Sequence, residues 1–200
     1  MSSAVPGTLM VGPAQVVFTR LGLHPPAGPL LVDMTAVVST GIPRAAHRTQ
    51  RQKATLGAQS MIWWEEEFCT RLAEAGRQVV RYDHRDTGRS TSSPPGRPSY
   101  TAHDLTPDPL RILDALGVGR AHLVGLSMGG GIALEHAERV STLCLASTSP
   151  AVPAEHDRRA LAAEIPGAYL VPLPGAGHQQ PPRELWDLAI AAIVEHTAKG

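Results

Sequence analysis

The residues most suited to chemistry surround a serine that lies between a predicted strand and a predicted helix. Ser127 is the middle residue of Gly125-Leu126-Ser127-Met128-Gly129. Residues 121–124 form a short apolar run typical of a strand, and residues 132–139 have helical spacing. A serine in such a strained turn projects its hydroxyl above the sheet. The glycines two residues before and after it lack the side chains that would collide in this turn. We therefore predict a nucleophilic Ser127 with positive φ; the alternative is a glycine-rich turn with an incidental serine.

A serine nucleophile needs a base and donors for the oxyanion. Of the nine histidines, His178 ends the turn Pro174-Gly175-Ala176-Gly177-His178, after a predicted strand at residues 169–171. Parallel strands bring their carboxyl ends to one sheet edge, so we expect His178 within reach of Ser127. The alternative is an ordinary surface histidine. The Met128 N–H, near the start of the helix, is the expected oxyanion donor.

The composition argues against several other classes of function. Eighteen basic and eighteen acidic residues give a formal net charge of zero, so neither nucleic acid nor an anionic membrane is an expected partner. No apolar run is long enough to span a bilayer, and the first residues lack the pattern of a secretory signal. Cys69 and Cys144 have no metal-type spacing. We expect no metal or cofactor and a reducing, cytoplasmic location.

Strand and helix patterns alternate along the chain and predict the α/β class. Strands are predicted at residues 16–18, 30–32, 78–82, 121–124, 140–146 and 169–171, and helices at 65–75, 110–116, 132–139, 157–164 and 184–196. This alternation is typical of a mostly parallel sheet with helices on both faces. We expect residues 1–55 to be an irregular N-terminal segment in which short apolar runs could form edge strands, and residues 56–200 to form the core.

Four segments together resemble a known family. They are WWEEEF from Trp63, RYDHRDTGRS from Arg81, HLVGLSMGG from His122 and PGAGH from Pro174. They are similar to α/β-hydrolases related to aclacinomycin methylesterase and, more loosely, to esterases, proline iminopeptidases and cofactor-free haloperoxidases. The resemblance covers residues 56–150 and 155–197 and implies an α/β-hydrolase fold. It also implies a structural turn, without chemistry, at residues 83–86.

The chain departs from this family at two places. Leu56-Gly57-Ala58-Gln59 resembles the first oxyanion loop, which implies that the Leu56 N–H is the second donor. Residues 50–55 are too polar for the buried strand that precedes this loop in relatives. Either residues 30–34 are that strand and residues 35–55 are an insert, or the strand is missing.

The second departure concerns the acid of the catalytic triad. Relatives carry a helical cap after the strand that matches residues 140–146, and then a strand that ends in the triad aspartate. Here residues 147–154 contain no acidic residue and lead directly to the next predicted helix. We therefore expect the fold to lack the cap and one strand. Glu155 and Asp157 are the remaining candidates for the acid, although carboxylates are common at the start of a solvated helix. Unless one of these two reaches His178, we expect no Asp or Glu to bond to its ring.

These observations predict a serine hydrolase that acts on a small-molecule ester through Ser127 and His178. In the serine–histidine–aspartate triad, replacing the aspartate that orients the histidine lowers turnover roughly 10⁴-fold, so activity is expected to be impaired. Two alternatives remain open. The first is a catalytically inactive, hydrolase-like binding domain, and the second is a cofactor-free perhydrolase that uses the same residues.

Overall fold

A computed structural model describes the protein over residues 3–11, 14–22, 30–36, 60–146 and 167–198. The strands in chain order are β1 (Ser3–Val11), β2 (Ala14–Gly22), β3 (Leu30–Ala36), β4 (Gln78–Tyr82), β5 (Ala121–Ser127) and β6 (Val140–Ala146). The helices are α1 (Glu66–Glu74), α2 (Asp108–Ala115), α3 (Met128–Leu134) and α4 (Trp186–Thr197). Short 3₁₀ turns occur at Met61–Trp63, Ala102–Leu105, Ala137–Arg139 and Arg183–Leu185.

The described strands form one sheet in the order β1-β2-β4-β3-β5-β6. The strands β4, β3, β5 and β6 are parallel, whereas β1 and β2 add as an antiparallel pair at the β4 side. The parallel strands end at one edge of the sheet, called here the carboxyl edge. Ser127 is the last residue of β5 and therefore lies at this edge.

Two apolar clusters cover the two faces of the sheet. On one face, α2 and α3 pack on Val80 and Leu123, and on the other, α1 and α4 pack on Val79 and Val124. Neighbouring residues of one strand thus contribute to opposite clusters, as the two-residue period of a strand requires. All of β4, and β5 as far as Leu126, are buried because helices cover both faces of these strands.

The α/β class and the mostly parallel sheet predicted from the sequence are confirmed. Of the two alternatives for the early chain, the strand of the first is present: β3 begins at Leu30 and lies between β4 and β5. It extends to Ala36, two residues into the expected insert, and the rest of that insert lies outside the described residues. The strands before residue 37 are part of the same sheet as the later ones. The proposed boundary between residues 55 and 56 falls outside the described residues and stays a prediction.

Two predicted elements differ in the structure. The helix expected over residues 132–139 begins four residues earlier, at Met128, and ends at Leu134, because close packing around the glycines overrides their low helix propensity. Residues 169–171, predicted as a strand, have no strand pairing. This prediction was wrong: these residues line a cavity beside β6 and belong to no strand of the described sheet. The helix expected at residues 157–164 lies outside the described residues.

Candidate active site

Ser127 occupies the sharp turn that joins β5 to α3. Its backbone has φ 56° and ψ −118°, outside the conformations that L-residues ordinarily adopt. A non-glycine residue keeps such strain only where its surroundings impose it, and such positions cluster at active sites. The strand–turn–helix geometry with positive φ predicted for Ser127 is confirmed.

Gly125 makes this turn sterically feasible. A Cβ atom at position 125 would lie 2.6 Å from the Cα of Gly130 and 2.7 Å from the carbonyl carbon of Gly129. Both atoms belong to the backbone, which has little freedom to shift away. The first glycine of the motif is therefore required for α3 to approach the end of β5 as closely as it does.

His178 lies directly beside Ser127. The His178 Nε2 and Ser127 Oγ atoms are 3.0 Å apart, which is hydrogen-bond distance. The His178 side chain is exposed, whereas Ser127 is half-buried. The predicted proximity of the two side chains is confirmed, and an imidazole in this position can accept the proton of the hydroxyl.

The segment that carries His178 is held in place by α4 and α1. The Trp186 Nε1–H donates to the carbonyl oxygen of Pro181 at 2.9 Å. The indole ring is buried and packs edge-on against Phe68 of α1, with 5.5 Å between the ring centroids. These contacts fix the chain three residues beyond His178 to the apolar cluster on one face of the sheet.

Arg183 adds a second connection between this segment and α1. Its guanidinium donates to Glu65 at 2.6 Å and Glu67 at 2.8 Å, and it lies 4.6 Å above the ring of Trp186. Both carboxylates hydrogen-bond to Arg183 and hold its pKa above the usual value. These side chains are solvent-exposed, and exposed ion pairs contribute little stability, so the buried Trp186 is the stronger anchor.

The turn after β4 organises the loops around the site. Asp83 accepts hydrogen bonds from the Ser60 hydroxyl at 2.6 Å, the Met61 N–H at 2.9 Å and the Arg89 N–H at 3.0 Å. A Cβ atom at Gly88 would lie 2.2 Å from the Asp83 carboxylate, so this turn also depends on a glycine. The interactions are structural, in agreement with the role inferred from the family resemblance.

The same turn is held from its other side by charged groups. Arg85 makes a two-point ion pair with Asp108, with distances of 3.0 and 2.7 Å. Asp86, which has φ 65°, accepts from the Tyr100 hydroxyl at 2.8 Å. Burial and the neighbouring Asp86 raise the pKa of Tyr100, so its hydroxyl stays protonated at physiological pH.

The structure describes three of the predicted site residues and not the others. Ser127 and His178 are in contact, and Met128 is the first residue of α3, where N–H groups have no partner within the helix. Leu56, Glu155 and Asp157 lie outside the described residues. The oxyanion role of Leu56 and the triad acid therefore stay predictions.

Within residues 60–146 and 167–198, no carboxylate hydrogen-bonds to His178. The same residues contain no cluster of His, Cys, Asp and Glu that could hold a metal ion. No helix among the described elements has the length and apolar character needed to cross a membrane. Cys69 and Cys144 are both free thiols.

Sequence reasoning missed the residues that hold the His178 segment. Trp186 falls within the helix predicted over residues 184–196 and Arg183 lies just before it, and nothing in their spacing indicates which loop they contact. The signal available in the sequence was an arginine three positions before a tryptophan. His122 and His136 are buried and bond to the Thr142 hydroxyl and the Thr106 carbonyl, respectively.

Comparison with known protein families gives one family match. The family described as "alpha/beta hydrolase fold" matches residues 55–169, more than half of the chain. The matched segment includes α1, β4, the serine turn and β6.

Curated relatives match over shorter segments. The chain is 48% identical over 84 residues to the rhodomycin D methylesterase DauP of Streptomyces sp. (strain C5), which is 40% of this chain and 28% of that protein. It is 44% identical over 69 residues to the putative carbamate hydrolase RutD of Caulobacter vibrioides (strain NA1000 / CB15N), which is 32% of this chain and 25% of that protein. The matched part is thus about a quarter of the length of these relatives.

Solved structures share the fold at low sequence identity. A CIB-like hydrolase from Thermoplasma acidophilum aligns with a TM-score of 0.66 at 16% identity, over 98% of this chain and 100% of that one. The thioesterase domain from the curacin biosynthetic pathway aligns with a TM-score of 0.56 at 22% identity, over 76% and 49% of the two chains. These likenesses show the arrangement of strands and helices alone.

Proposed function

Because the chain belongs to the alpha/beta hydrolase fold family, we propose that it is a serine hydrolase that cleaves a small-molecule ester. The observation that supports this most directly is the 3.0 Å distance between Ser127 Oγ and His178 Nε2, at a serine with strained backbone. The similarity to a rhodomycin D methylesterase favours an ester, and that to a putative carbamate hydrolase makes a carbamate the nearest alternative.

In the proposed reaction, Ser127 Oγ attacks the carbonyl carbon of the ester while its proton passes to His178 Nε2. The Met128 N–H, with Leu56 N–H as the second donor, stabilises the oxyanion of the tetrahedral intermediate. The intermediate collapses as His178 returns the proton to the leaving alkoxide, and an acyl-serine remains. Water, deprotonated by His178, attacks this acyl group and releases the acid.

A second candidate is a hydrolase-like binding domain without efficient turnover. The observation in its favour is that, within the described part of the chain, His178 has no carboxylate partner on its ring. In a triad, the carboxylate selects the imidazole tautomer and stabilises the cation that forms. An imidazole without such a carboxylate is a weaker catalyst, so turnover by this site would be slow.

Hydrolysis of p-nitrophenyl acetate by the purified protein tests the proposal. We expect slow, saturable release of p-nitrophenol with an initial burst, because an acyl-serine forms before it is hydrolysed. Ser127→Ala should abolish both the burst and the steady rate. Ser92→Ala changes an exposed serine of a nearby loop and should leave both unchanged.

Two results would favour the binding domain instead. One is a folded protein whose rate does not exceed the rate of the Ser127→Ala variant. The other is a rate that survives Ser127→Ala, since the reaction would then occur elsewhere on the protein or in solution.

A further inference from the structure

A cavity of about 210 Å³ lies between β6 and α4, on the face of the sheet that α1 and α4 cover. We call it the β6 cavity. Residues 143–146 of β6 and residues 168–171 line two of its sides. Phe68 of α1, Val124 of β5 and Ile193 of α4 line it as well, and all three belong to the apolar cluster on that face. The cavity is therefore an extension of this cluster that no side chain of the described residues fills.

The described walls of the cavity are apolar and uncharged. No Asp, Glu, Lys or Arg is among the described residues that line it. Among its polar side chains, the Tyr169 hydroxyl donates to the Ala192 carbonyl at 3.3 Å, and the His196 ring packs edge-on against the Tyr169 ring. Burial raises the pKa of the Cys144 thiol to about 12, so this group is neutral. Such a cavity favours an apolar occupant over water.

The volume of the cavity limits the size of that occupant. An apolar cavity of about 150 Å³ in another protein binds benzene, which has six carbon atoms. The β6 cavity therefore has room for an apolar group of about six to eight carbon atoms.

One end of the cavity lies close to the serine turn. Ala146, at the carboxyl end of β6, pairs with Leu126, the residue before Ser127. Neighbouring strands lie about 4.8 Å apart and successive Cα atoms about 3.8 Å apart, so the Ala146 and Ser127 Cα atoms are within about 9 Å of each other. Leu143, which also lines the cavity, lies about 10 Å further along the strand. The cavity thus leads from the neighbourhood of Ser127 toward the interior.

The segment that carries His178 also lines the cavity. Leu173, before His178 in the chain, and Pro181, after it, are both among the lining residues. In the proposed reaction, His178 returns its proton to the leaving oxygen, so this oxygen must lie on the His178 side of Ser127. The alcohol group bonded to the leaving oxygen is then the part of the ester that faces the β6 cavity.

From this placement we propose that the β6 cavity binds the alcohol group of the ester, and that the preferred substrates are esters of an apolar alcohol with about six to eight carbon atoms. This assignment rests on the function proposed above, because it concerns the substrate of the same reaction. It requires no open strand edge, since side chains make the contacts. It is therefore independent of what pairs with the outer side of β6.

A series of alkyl acetates, from ethyl to decyl acetate, tests the assignment. All of them give the same acetyl-serine, so the alcohol affects only the formation of this intermediate. We expect kcat/KM, measured by titration of the released acetic acid, to rise about fourfold per methylene up to hexyl or octyl acetate and then to level off. The value of kcat should change less, because hydrolysis of the acetyl-serine is common to the series. Ethyl esters of longer acids should not show this rise.

Binding of 1-hexanol to Ser127→Ala tests the cavity without hydrolysis. We expect saturable shifts of backbone amide signals in β6 and α4, measured by two-dimensional NMR. The matched control is 1,6-hexanediol, which has the same chain but would bury a second hydroxyl among apolar side chains; it should bind at least about tenfold more weakly. If 1-hexanol binds while no acetate is hydrolysed, the proposed function fails and the cavity keeps its assignment to an apolar alcohol.

Two alanines of α4 provide matched variants. Ala192 lines the cavity, whereas Ala191 is exposed and is not among the lining residues. Ala192→Phe should lower the ratio of kcat/KM for hexyl acetate to kcat/KM for ethyl acetate at least about tenfold, because the added ring takes the space of several methylenes. Ala191→Phe should leave this ratio unchanged. Thermal unfolding checks that both variants are folded, and Ala192→Leu gives the same comparison if Ala192→Phe does not fold.

Three results would overturn the proposal. In an active enzyme, a kcat/KM that does not depend on the length of the alcohol would mean that the cavity takes no part in substrate binding. A rise with the length of the acid instead would assign the cavity to the acyl group. Absence of saturable 1-hexanol binding to folded Ser127→Ala, or equal binding of the diol, would mean that the cavity does not take up an apolar alcohol.

Discussion

The imidazole of His178 is the residue on which the reactivity of Ser127 is expected to depend most. His178→Gln keeps a polar side chain of similar reach but cannot act as a base at neutral pH. We expect it to lower turnover of p-nitrophenyl acetate by about 10²–10⁴-fold, which is the usual contribution of a general base. Circular dichroism should be unchanged, because the side chain is exposed. A turnover within a few-fold of the parent protein would remove His178 from the mechanism.

A second residue-scale prediction concerns the acid. Glu155 and Asp157 belong to the start of a predicted solvated helix, where carboxylates are common, so we expect Glu155→Gln and Asp157→Asn to leave turnover nearly unchanged. The rates are compared under identical conditions, with thermal unfolding of each variant as a control for folding. If either substitution lowers turnover by orders of magnitude in a folded protein, that residue is the triad acid.

At this scale, the sequence predicts the reacting pair but not its supports. Ser127 is recognisable because two glycines and flanking apolar residues constrain its backbone locally. His178 is recognisable from its place after the last predicted strand. The contact of Trp186 with the Pro181 carbonyl depends on how α4 packs on α1, a long-range arrangement without a local pattern.

Among the elements, the junction of β5 and α3 is the most sensitive to a single added carbon. Gly125→Ala places a Cβ atom 2.6 Å from the Gly130 backbone, so the turn must open. We expect the free energy of unfolding to fall by about 1–3 kcal/mol, which is the usual cost of overpacking. We also expect Ser127 to lose its reactivity. Urea denaturation and the p-nitrophenyl acetate burst measure the two effects.

The matched substitution is Gly131→Ala in the same helix. A Cβ atom there has no neighbour within 4 Å, and alanine favours helix over glycine by about 1 kcal/mol. Gly131→Ala should therefore be neutral or stabilising and keep the burst. If both alanine variants behave alike, close packing at Gly125 does not shape the serine turn.

The secondary-structure elements were predictable where their burial leaves a clear apolar pattern in the sequence. β4, β5 and α1 have clear apolar patterns, and the structure has them close to the predicted residues. The apolar run at residues 169–171 looked equally strand-like. Its conformation depends on whether a partner edge lies at pairing distance, which a local pattern does not encode.

At the scale of the whole molecule, we predict that protonation of His122 makes the free energy of unfolding depend on pH. Burial, with smaller effects from Arg77 and His196, lowers its pKa below the model-compound value of 6.5. The unfolded chain therefore binds a proton before the native state does, and stability that is present above pH 6.5 is lost as the pH falls through that value. Urea midpoints at neutral and at mildly acidic pH should show this loss.

His122→Gln should make the urea midpoint less dependent on pH, because it removes the titrating ring while keeping a group that can bond to Thr142. The surface substitution His103→Gln serves as the control, since His103 is exposed and should leave the pH dependence as it is. If the urea midpoint of His122→Gln depends on pH as that of the parent protein does, other groups cause the loss of stability at acidic pH.

The whole-molecule architecture follows from the alternation of strands and helices, but the order of strands does not. β3 lies between β4 and β5 although the chain visits it before both, and residues 23–29 and 37–59 that connect it show no regular period in the sequence. The pairing of β3 with β4 and β5 joins segments that are far apart in the sequence. That is a property of the assembled molecule and has no counterpart in a short window of residues.

Covalent labelling of Ser127 by a fluorophosphonate probe tests the central claim, that Ser127 and His178 form a reactive nucleophile–base pair. The modified residue is identified by mass spectrometry of peptides. We predict a single adduct on Ser127, absent in Ser127→Ala and formed far more slowly in His178→Gln. A folded protein that forms no adduct, or one labelled at Ser127 equally fast without His178, would contradict the account.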